Sequence, residues 1–300
     1  MRDDSVAEQR SVRPGLGLGR VRHGDRIVCA WYRQGDPTAR LATVRGTEFD
    51  DLPELLGATN GDYAAIAQGR EIAVGSGALL VPVADPRKIL CIGQNYLDHV
   101  KEGGRTDGPA HPDVFVKWAT SLSGPDEEIA LPPESDQIDF ESELTVVIGQ
   151  RCRRVPVEGV AEVIFGYTAA DDGSVRDFQF HTAQRTAGKA WDSLTPIGPV
   201  VVPATELGGA RPDLRIQGFL NGEQMQDDRT SNLMFGIPEL IAYITTFVTL
   251  EPGDLLLTGT PAGVGLVRKP PVLLRDGDEF EVRIDGIGSL RNSYTAEKVG

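Results

Sequence analysis

The segment Ile138-Asp139-Phe140-Glu141-Ser142-Glu143-Leu144-Thr145-Val146-Val147-Ile148-Gly149 carries the residues best suited to chemistry. Read as one long strand, it sends side chains alternately to two faces. Asp139, Glu141 and Glu143 then share one face, and Ile138, Phe140, Leu144, Val146 and Ile148 the other. Carboxylates crowded on so apolar a strand repel one another, and burial disfavours their charged forms. Protonation or a bound cation would relieve both effects. Glu at i and i+2 aims oxygens at one place, as a hard divalent ion requires. The competing reading is an acidic stripe facing solvent. A second pair, Asp171-Asp172, follows Gly166-Tyr167-Thr168-Ala169-Ala170 and alone reads more readily as a turn.

The third candidate is His99-x-x-Glu102, in the run Asn95 to Glu102 before Gly103-Gly104. Asn95 suits an N-cap and the glycines a helix stop, so the spacing places His99 and Glu102 on one helical face. A carboxylate beside an imidazole raises its basicity and fixes its tautomer, which makes a general base. The bland alternative is a solvated helix with an incidental pair. Gly103-Gly104 would also suit the hinge of a moving lid. His23, His111 and His181 lack metal-ligand spacing, which argues against a histidine-rich zinc site.

The elements that must hold these residues belong to a chain of 300 residues with 35 Gly and 20 Pro. That length suffices for a sizeable core. Short strands between turn signals, with few helices in no regular alternation, predict an α+β fold. Residues 1–20 read as a flexible arm and 21–84 as a small N-terminal α+β domain closed by Leu79-Leu80-Val81-Pro82-Val83-Ala84-Asp85-Pro86. Residues 85–300 read as the catalytic domain. The sequence predicts a helix within 51–69, a helix over Pro238–Val248, a buried strand over Leu255–Thr258 and an exposed or edge strand over Phe280–Ile284. A net charge of −14 disfavours nucleic-acid binding. Cys29, Cys91 and Cys152 are odd in number and far apart, which fits a reducing compartment. Without a secretory core in Met1–Arg20 or an apolar run of about 18 residues, the expectation is a cytoplasmic protein with no membrane partner.

Several segments together resemble the fumarylacetoacetate hydrolase superfamily over roughly residues 85–293. Gly93-Gln94-Asn95-Tyr96-Leu97-Asp98-His99-Val100-Lys101-Glu102 is similar to that family's G-x-N-Y-x-D-H-x-x-E, and Asp139-Phe140-Glu141-Ser142-Glu143-Leu144 to its D-[YF]-E-x-E-L. Gly166 to Gln179 resembles G-Y-T-x-x-N-D-x-S-x-R-D-x-Q, and Lys189-Ala190-Trp191-Asp192 resembles K-x-[FW]-D. Leu257-Thr258-Gly259-Thr260-Pro261 and Gly286-Ile287-Gly288-Ser289-Leu290-Arg291-Asn292 complete the order. The resemblance implies a β-rich mixed-sheet roll and a homodimer. It implies one Mg²⁺ or Mn²⁺ per subunit on Glu141, Glu143 and Asp172, and a catalytic dyad of His99 and Glu102. Lys189 would stabilise charge, and Gln179, Thr260, Gln94, Tyr96 and Gly259 would lie against substrate. Asp139 is expected to support the site without ligating, and Arg176–Asp177 to form a structural ion pair.

Some positions depart from the family pattern. Gly173 replaces a larger apolar residue, Asp171 stands where Asn is common, and Asn292-Ser293 replaces Asn-Pro. The activity implied first is metal-dependent C–C hydrolysis of a β-diketo acid of the acylpyruvate or fumarylpyruvate type by a His99-activated water. The alternative is decarboxylation, isomerisation or dehydration of a related 2-oxo acid through a comparable enolate. A non-catalytic metal-stabilised scaffold is the reading from another class. Either enzyme takes a small anionic 2-oxo or diketo acid, and Lys101 and Arg105 are the candidates for a distal carboxylate.

Overall fold

The computed structural model describes residues 14–298. Its frame is a 13-stranded sheet that runs from Leu16–His23 through Thr195–Pro203, Ile164–Asp171, Ser142–Ile148, Leu255–Leu257 and Ile89–Gly93 to Asp113–Lys117 at one edge. Five further strands form a second sheet, in the order Glu128–Leu131, Gly288–Ala296, Glu279–Ile284, Arg215–Leu220, Glu223–Arg229. This is the β-rich α+β fold expected from the sequence.

The central strands are buried on both faces, so they read as nearly continuous apolar runs. Alternation sorts them into two cores. Leu144, Val146, Ile148, Leu90 and Ile92 enter the larger core, and Val147, Ile89 and Cys91 enter the one behind the sheet. The helix Ile237–Phe247 buries Ile237, Leu240, Ile241 and Ile244 along one stripe. All three cysteines are buried and unpaired.

Three expectations are corrected. Residues 16–20 begin the strand Leu16–His23, which pairs with Thr195–Pro203, and only 1–13 of the expected arm lie outside the described residues. Gly17 is a packing position in this strand, since a Cβ there would lie 2.7 Å from the Val201 carbonyl oxygen. The helix in 51–69 stops at Thr59, where Asn60 turns left-handed, and Ile66–Ala73 is a strand. Glu279–Ile284 lies inside the second sheet, between Gly288–Ala296 and Arg215–Leu220.

That last strand looked exposed because it carries charged residues, of which Glu281 is buried in a pair with Arg283. Glu281 accepts bonds from Arg283 Nε at 2.9 Å and Nη2 at 2.7 Å. Burial alone would raise its pKa, but the Arg283 fork, Ser289 and the nearby guanidinium charges bring it below its ordinary 4.5. A depressed pKa contributes stability above the ordinary value and loses it as pH falls through the folded value. Glu281→Gln is therefore expected to cost about 1 kcal/mol at neutral pH. In denaturant titrations the difference from wild type should shrink below pH 4.5. A difference independent of pH would contradict the assignment.

Candidate active site

The predicted long strand is broken. Ile138–Asp139 pairs with Ser174–Val175, and Ser142–Ile148 belongs to the large sheet. Glu141 lies in the break, where its N–H donates to Asp171 Oδ1 at 2.7 Å and its carbonyl accepts Asp172 N–H at 2.9 Å. Asp171 is held in turn by the Tyr294 hydroxyl at 2.7 Å. Because Ser142 stands opposite Asp171 in the ladder, Glu141 and Asp172 fall just beyond its end. Glu143, one residue into the strand, completes the set: one carboxylate oxygen from each of the three residues lies within 4.8 Å of the others. Asp139 takes no place in this set. It accepts N–H bonds from Gly265 and Leu266 and pairs with Arg176.

Basic side chains reach two of the three carboxylates. Lys189 Nζ lies 2.7 Å from both Glu141 Oε2 and Asp172 Oδ2. Arg176 meets Glu141 Oε1 at 2.7 Å, and Lys117 meets Asp172 Oδ1 at 2.5 Å. Burial raises the Glu141 pKa, but Lys189, Arg176 and His99 outweigh it and hold Glu141 well below the ordinary range. Burial lowers that of Lys189, yet Asp172 and Glu141 raise it more, so the ammonium persists. Glu143 differs. It accepts one backbone N–H, from Gly259 at 2.7 Å, and no basic side chain among the described residues pairs with it. Burial, then Asp172 and Glu141, push its pKa well up. Burial also pushes Asp171 up to about 7, which offsets part of the charge expected beside Asp172.

An all-oxygen donor set with one buried, uncompensated carboxylate fits a hard divalent cation. Glu141, Glu143 and Asp172 are the residues that could hold it.

The helix Leu97–Glu102 carries the expected pair across the cavity. His99 Nδ1 lies 2.6 Å from Glu102 Oε1, and Glu102 Oε2 accepts the Gly263 N–H at 2.7 Å. The carboxylate is therefore fixed from both sides, and Nε2 is the ring nitrogen left for proton exchange. Asn95 does not cap the helix, which has Tyr96 at the N-cap position and no side-chain cap. Its amide donates to the carbonyls of Phe235 and Thr258, and its oxygen accepts the Phe235 N–H at 2.8 Å. Asn95 thus ties the His99 helix to the Thr258–Thr260 turn. Asn95→Ala would leave buried backbone groups unpaired and is expected to cost about 2–4 kcal/mol in chemical denaturation. A loss under about 0.5 kcal/mol would refute that role.

Gln94, Gln179, Lys189 and Thr260 line the cavity with His99 and the triad, whereas Tyr96 and Gly259 do not. Tyr96 is buried away from it, its hydroxyl without a partner among the described residues. Gly259 acts through its N–H to Glu143. It has φ of +106°, and a Cβ there would lie 2.8 Å from that of Asn95. Thr260 Oγ1 accepts from Gln226, whose own oxygen accepts the Ser142 N–H. Arg176 bonds Asp139 and Glu141, not the expected Asp177, which binds Ser135. Lys101 is exposed on Asp98, and Arg105 bonds Gln94 at 2.5 Å. Lys117 is a site residue that the sequence did not single out; its signal was a lysine in step with Phe115 on the strand Asp113–Lys117, both of them buried. Arg185 also lines the cavity, and no spacing in the sequence marks it.

This fold, with a buried acidic triad facing a histidine–glutamate pair, defines an enzyme of the fumarylacetoacetate hydrolase type. The sequence pattern described as fumarylacetoacetate (FAA) hydrolase C-terminal matches residues 88–295, and the chain belongs to that family. Oxaloacetate tautomerase Fahd2a, mitochondrial, of Rattus norvegicus is 41% identical over 214 residues, covering 71% of this chain and 68% of that protein. Its Homo sapiens counterpart FAHD2A is 40% identical over 215 residues, with the same coverage of 71% and 68%. Among solved structures, 5-carboxymethyl-2-hydroxymuconate delta-isomerase from Mycobacterium smegmatis matches with a TM-score of 0.77 and 30% identity, covering 94% of this chain and 100% of that one. Fumarylpyruvate hydrolase from Pseudomonas aeruginosa, in complex with Mn²⁺ and pyruvate, matches with a TM-score of 0.66 and 30% identity, covering 74% and 94%. Both tautomerases are mitochondrial by name, unlike the cytoplasmic expectation for this chain. No helix among the described residues is long and apolar enough to cross a membrane.

Proposed function

We propose that this enzyme is a divalent-metal-dependent tautomerase of a small 2-oxo diacid of the oxaloacetate type. The sequence reading put C–C hydrolysis first and isomerisation among the alternatives, and the similarity to named oxaloacetate tautomerases favours the alternative. The observation that carries the reading is a histidine oriented by Glu102 across one small cavity from the oxygen triad. Keto–enol exchange needs a group to move a proton at C3 and a positive environment for the C2 oxygen, and it needs no water.

Glu141, Glu143 and Asp172 would hold one Mg²⁺ or Mn²⁺, which when bound supplies Lewis-acid polarisation of the 2-oxo oxygen. His99 Nε2 would take the C3 proton of the keto acid while the electron pair moves into the C2–C3 bond. Negative charge then develops on the C2 oxygen, which Lys189 and Gln179 would stabilise, and return of the proton to that oxygen gives the enol. The reverse sequence ketonises the enol. Gln94 and Thr260 would position the substrate. The homodimer implied by the resemblance is part of this proposal, and light scattering on the eluting protein tests it.

The decisive experiment follows the ultraviolet absorbance of enol-oxaloacetate with Mn²⁺ and after EDTA, with pyruvate release and loss of fumarylpyruvate measured in parallel. Metal-dependent enol decay without pyruvate supports the tautomerase. Pyruvate release at the same rate would make it a decarboxylase. Consumption of fumarylpyruvate alone would restore hydrolysis, the reading favoured by the similarity to the Pseudomonas aeruginosa enzyme.

A further inference from the structure

The acidic triad accounts for only one end of a diacid, and the same cavity is lined by a cation whose carboxylate partner lies outside the triad. Arg176 and Lys189 are each bonded to carboxylates of the site, and Lys117 lies beneath Asp172. All three are thereby committed to the part of the cavity that holds the triad. Arg185 lines the same cavity, but its partner is Asp113, at the edge of the large sheet. Asp113 Oδ2 accepts from Arg185 Nε at 3.1 Å and Nη2 at 2.7 Å, which leaves Nη1 without a partner among the described residues. The guanidinium packs over Gly93, where a Cβ would lie 3.0 Å from Asp113 Oδ2 and 3.6 Å from Arg185 Nε. Gln94, the next residue, lines the cavity and has its amide oxygen engaged by Arg105, so its amide hydrogens remain available beside Arg185. The two basic residues favoured from sequence are less suited: Lys101 faces solvent on Asp98 and, like Arg105, does not line the cavity.

We propose that Arg185, oriented from behind by Asp113 and assisted by the Gln94 amide, binds the distal carboxylate of the substrate and selects diacids over monoacids. The inference rests on the 2-oxo diacid reading above. A planar fork held by one carboxylate is preorganised to receive another, and a charge-assisted bond in a partly desolvated cavity is strong enough to discriminate.

The test separates binding from turnover by using 2-oxo acids that cannot enolise. Dimethyloxaloacetate and 3,3-dimethyl-2-oxobutyrate differ only in a carboxylate where the second has a methyl. Calorimetry on the Mn²⁺-loaded protein is expected to show the diacid bound at least about tenfold more tightly. In Arg185→Met that preference should fall to within twofold of unity by about the same factor, with monoacid affinity unchanged. Arg185→Lys keeps the charge without the fork and should lose part of the preference, which provides a second variant if the first does not fold. Retention of the full preference in either variant overturns the assignment. So does equal weakening of both ligands, or a wild-type protein with no preference. A wild-type preference that depends on Arg185, without any tautomerisation of oxaloacetate, would sink the proposed activity and leave Arg185 as the carboxylate site.

Discussion

His99→Ala is expected to lower the turnover of oxaloacetate by about 10²–10⁴-fold, the usual contribution of a positioned general base. Mn²⁺ affinity measured on the same protein should stay within about twofold, because His99 offers no ligand to the triad. The imidazole is held by a 2.6 Å bond to Glu102, whose other oxygen accepts the Gly263 N–H at 2.7 Å. The orientation of the imidazole is therefore set by the position of the loop that carries Gly263. Glu102→Gln keeps an acceptor but removes the charge that supports an imidazolium, so its turnover should fall less than that of His99→Ala while metal affinity is again preserved. Full activity in His99→Ala would remove the residue from the reaction. Lost metal affinity in that variant would instead place the imidazole at the metal.

The second large effect has opposite signs in the two states of the enzyme. Glu143 is buried, accepts one N–H from Gly259 and has no basic partner among the described residues, unlike Glu141 and Asp172. Without a divalent ion its charge is a liability. Glu143→Gln retains an oxygen for Gly259 and should stabilise the metal-free protein by about 1–3 kcal/mol. The same substitution removes one of the three proposed ligands, so the variant should lose the stabilisation by Mn²⁺, about 2.7 kcal/mol in the wild type at a hundredfold excess over Kd. Thermal unfolding in EDTA and in Mn²⁺ reads both halves. An unchanged shift with Mn²⁺ would show that Glu143 is not a ligand, and a less stable metal-free variant would show that its charge is already compensated.

Much of the candidate site was legible because it depends on residue type at short range. Glu141 and Glu143 are two apart beside an apolar run, and His99 and Glu102 are three apart before a glycine pair. Those spacings offered a buried, mutually repelling cluster beside the alternative of a solvent-facing stripe, and the fold decided for burial. Asp172 was weak on its own and became firm only with the ordered motifs. Asn95 was misread for a physical reason. A residue suited to cap a helix can equally bond a distant backbone, and here it bridges Phe235 and Thr258, 140 and 163 residues away. Arg176 was given to its neighbour Asp177 for the same reason, although its partners are Asp139 and Glu141.

Composition and alternation in the sequence pointed to the strand-rich architecture, and its ordered motifs, through their resemblance to a known family, pointed to the class of protein, the proposed donor set and the proposed base with its orienting carboxylate. Tertiary structure alone decided which charges meet. The break at Phe140–Glu141, the ladder that ends at Ser142 and Asp171, and the loop that brings Gly259 and Gly263 to Glu143 and Glu102 all join segments far apart in the chain. So do the lysines on Asp172 and the placing of Arg185 against Gly93. Electrostatic partnership acts over a few ångströms in space, and sequence distance carries no information about it once a sheet has brought remote strands side by side.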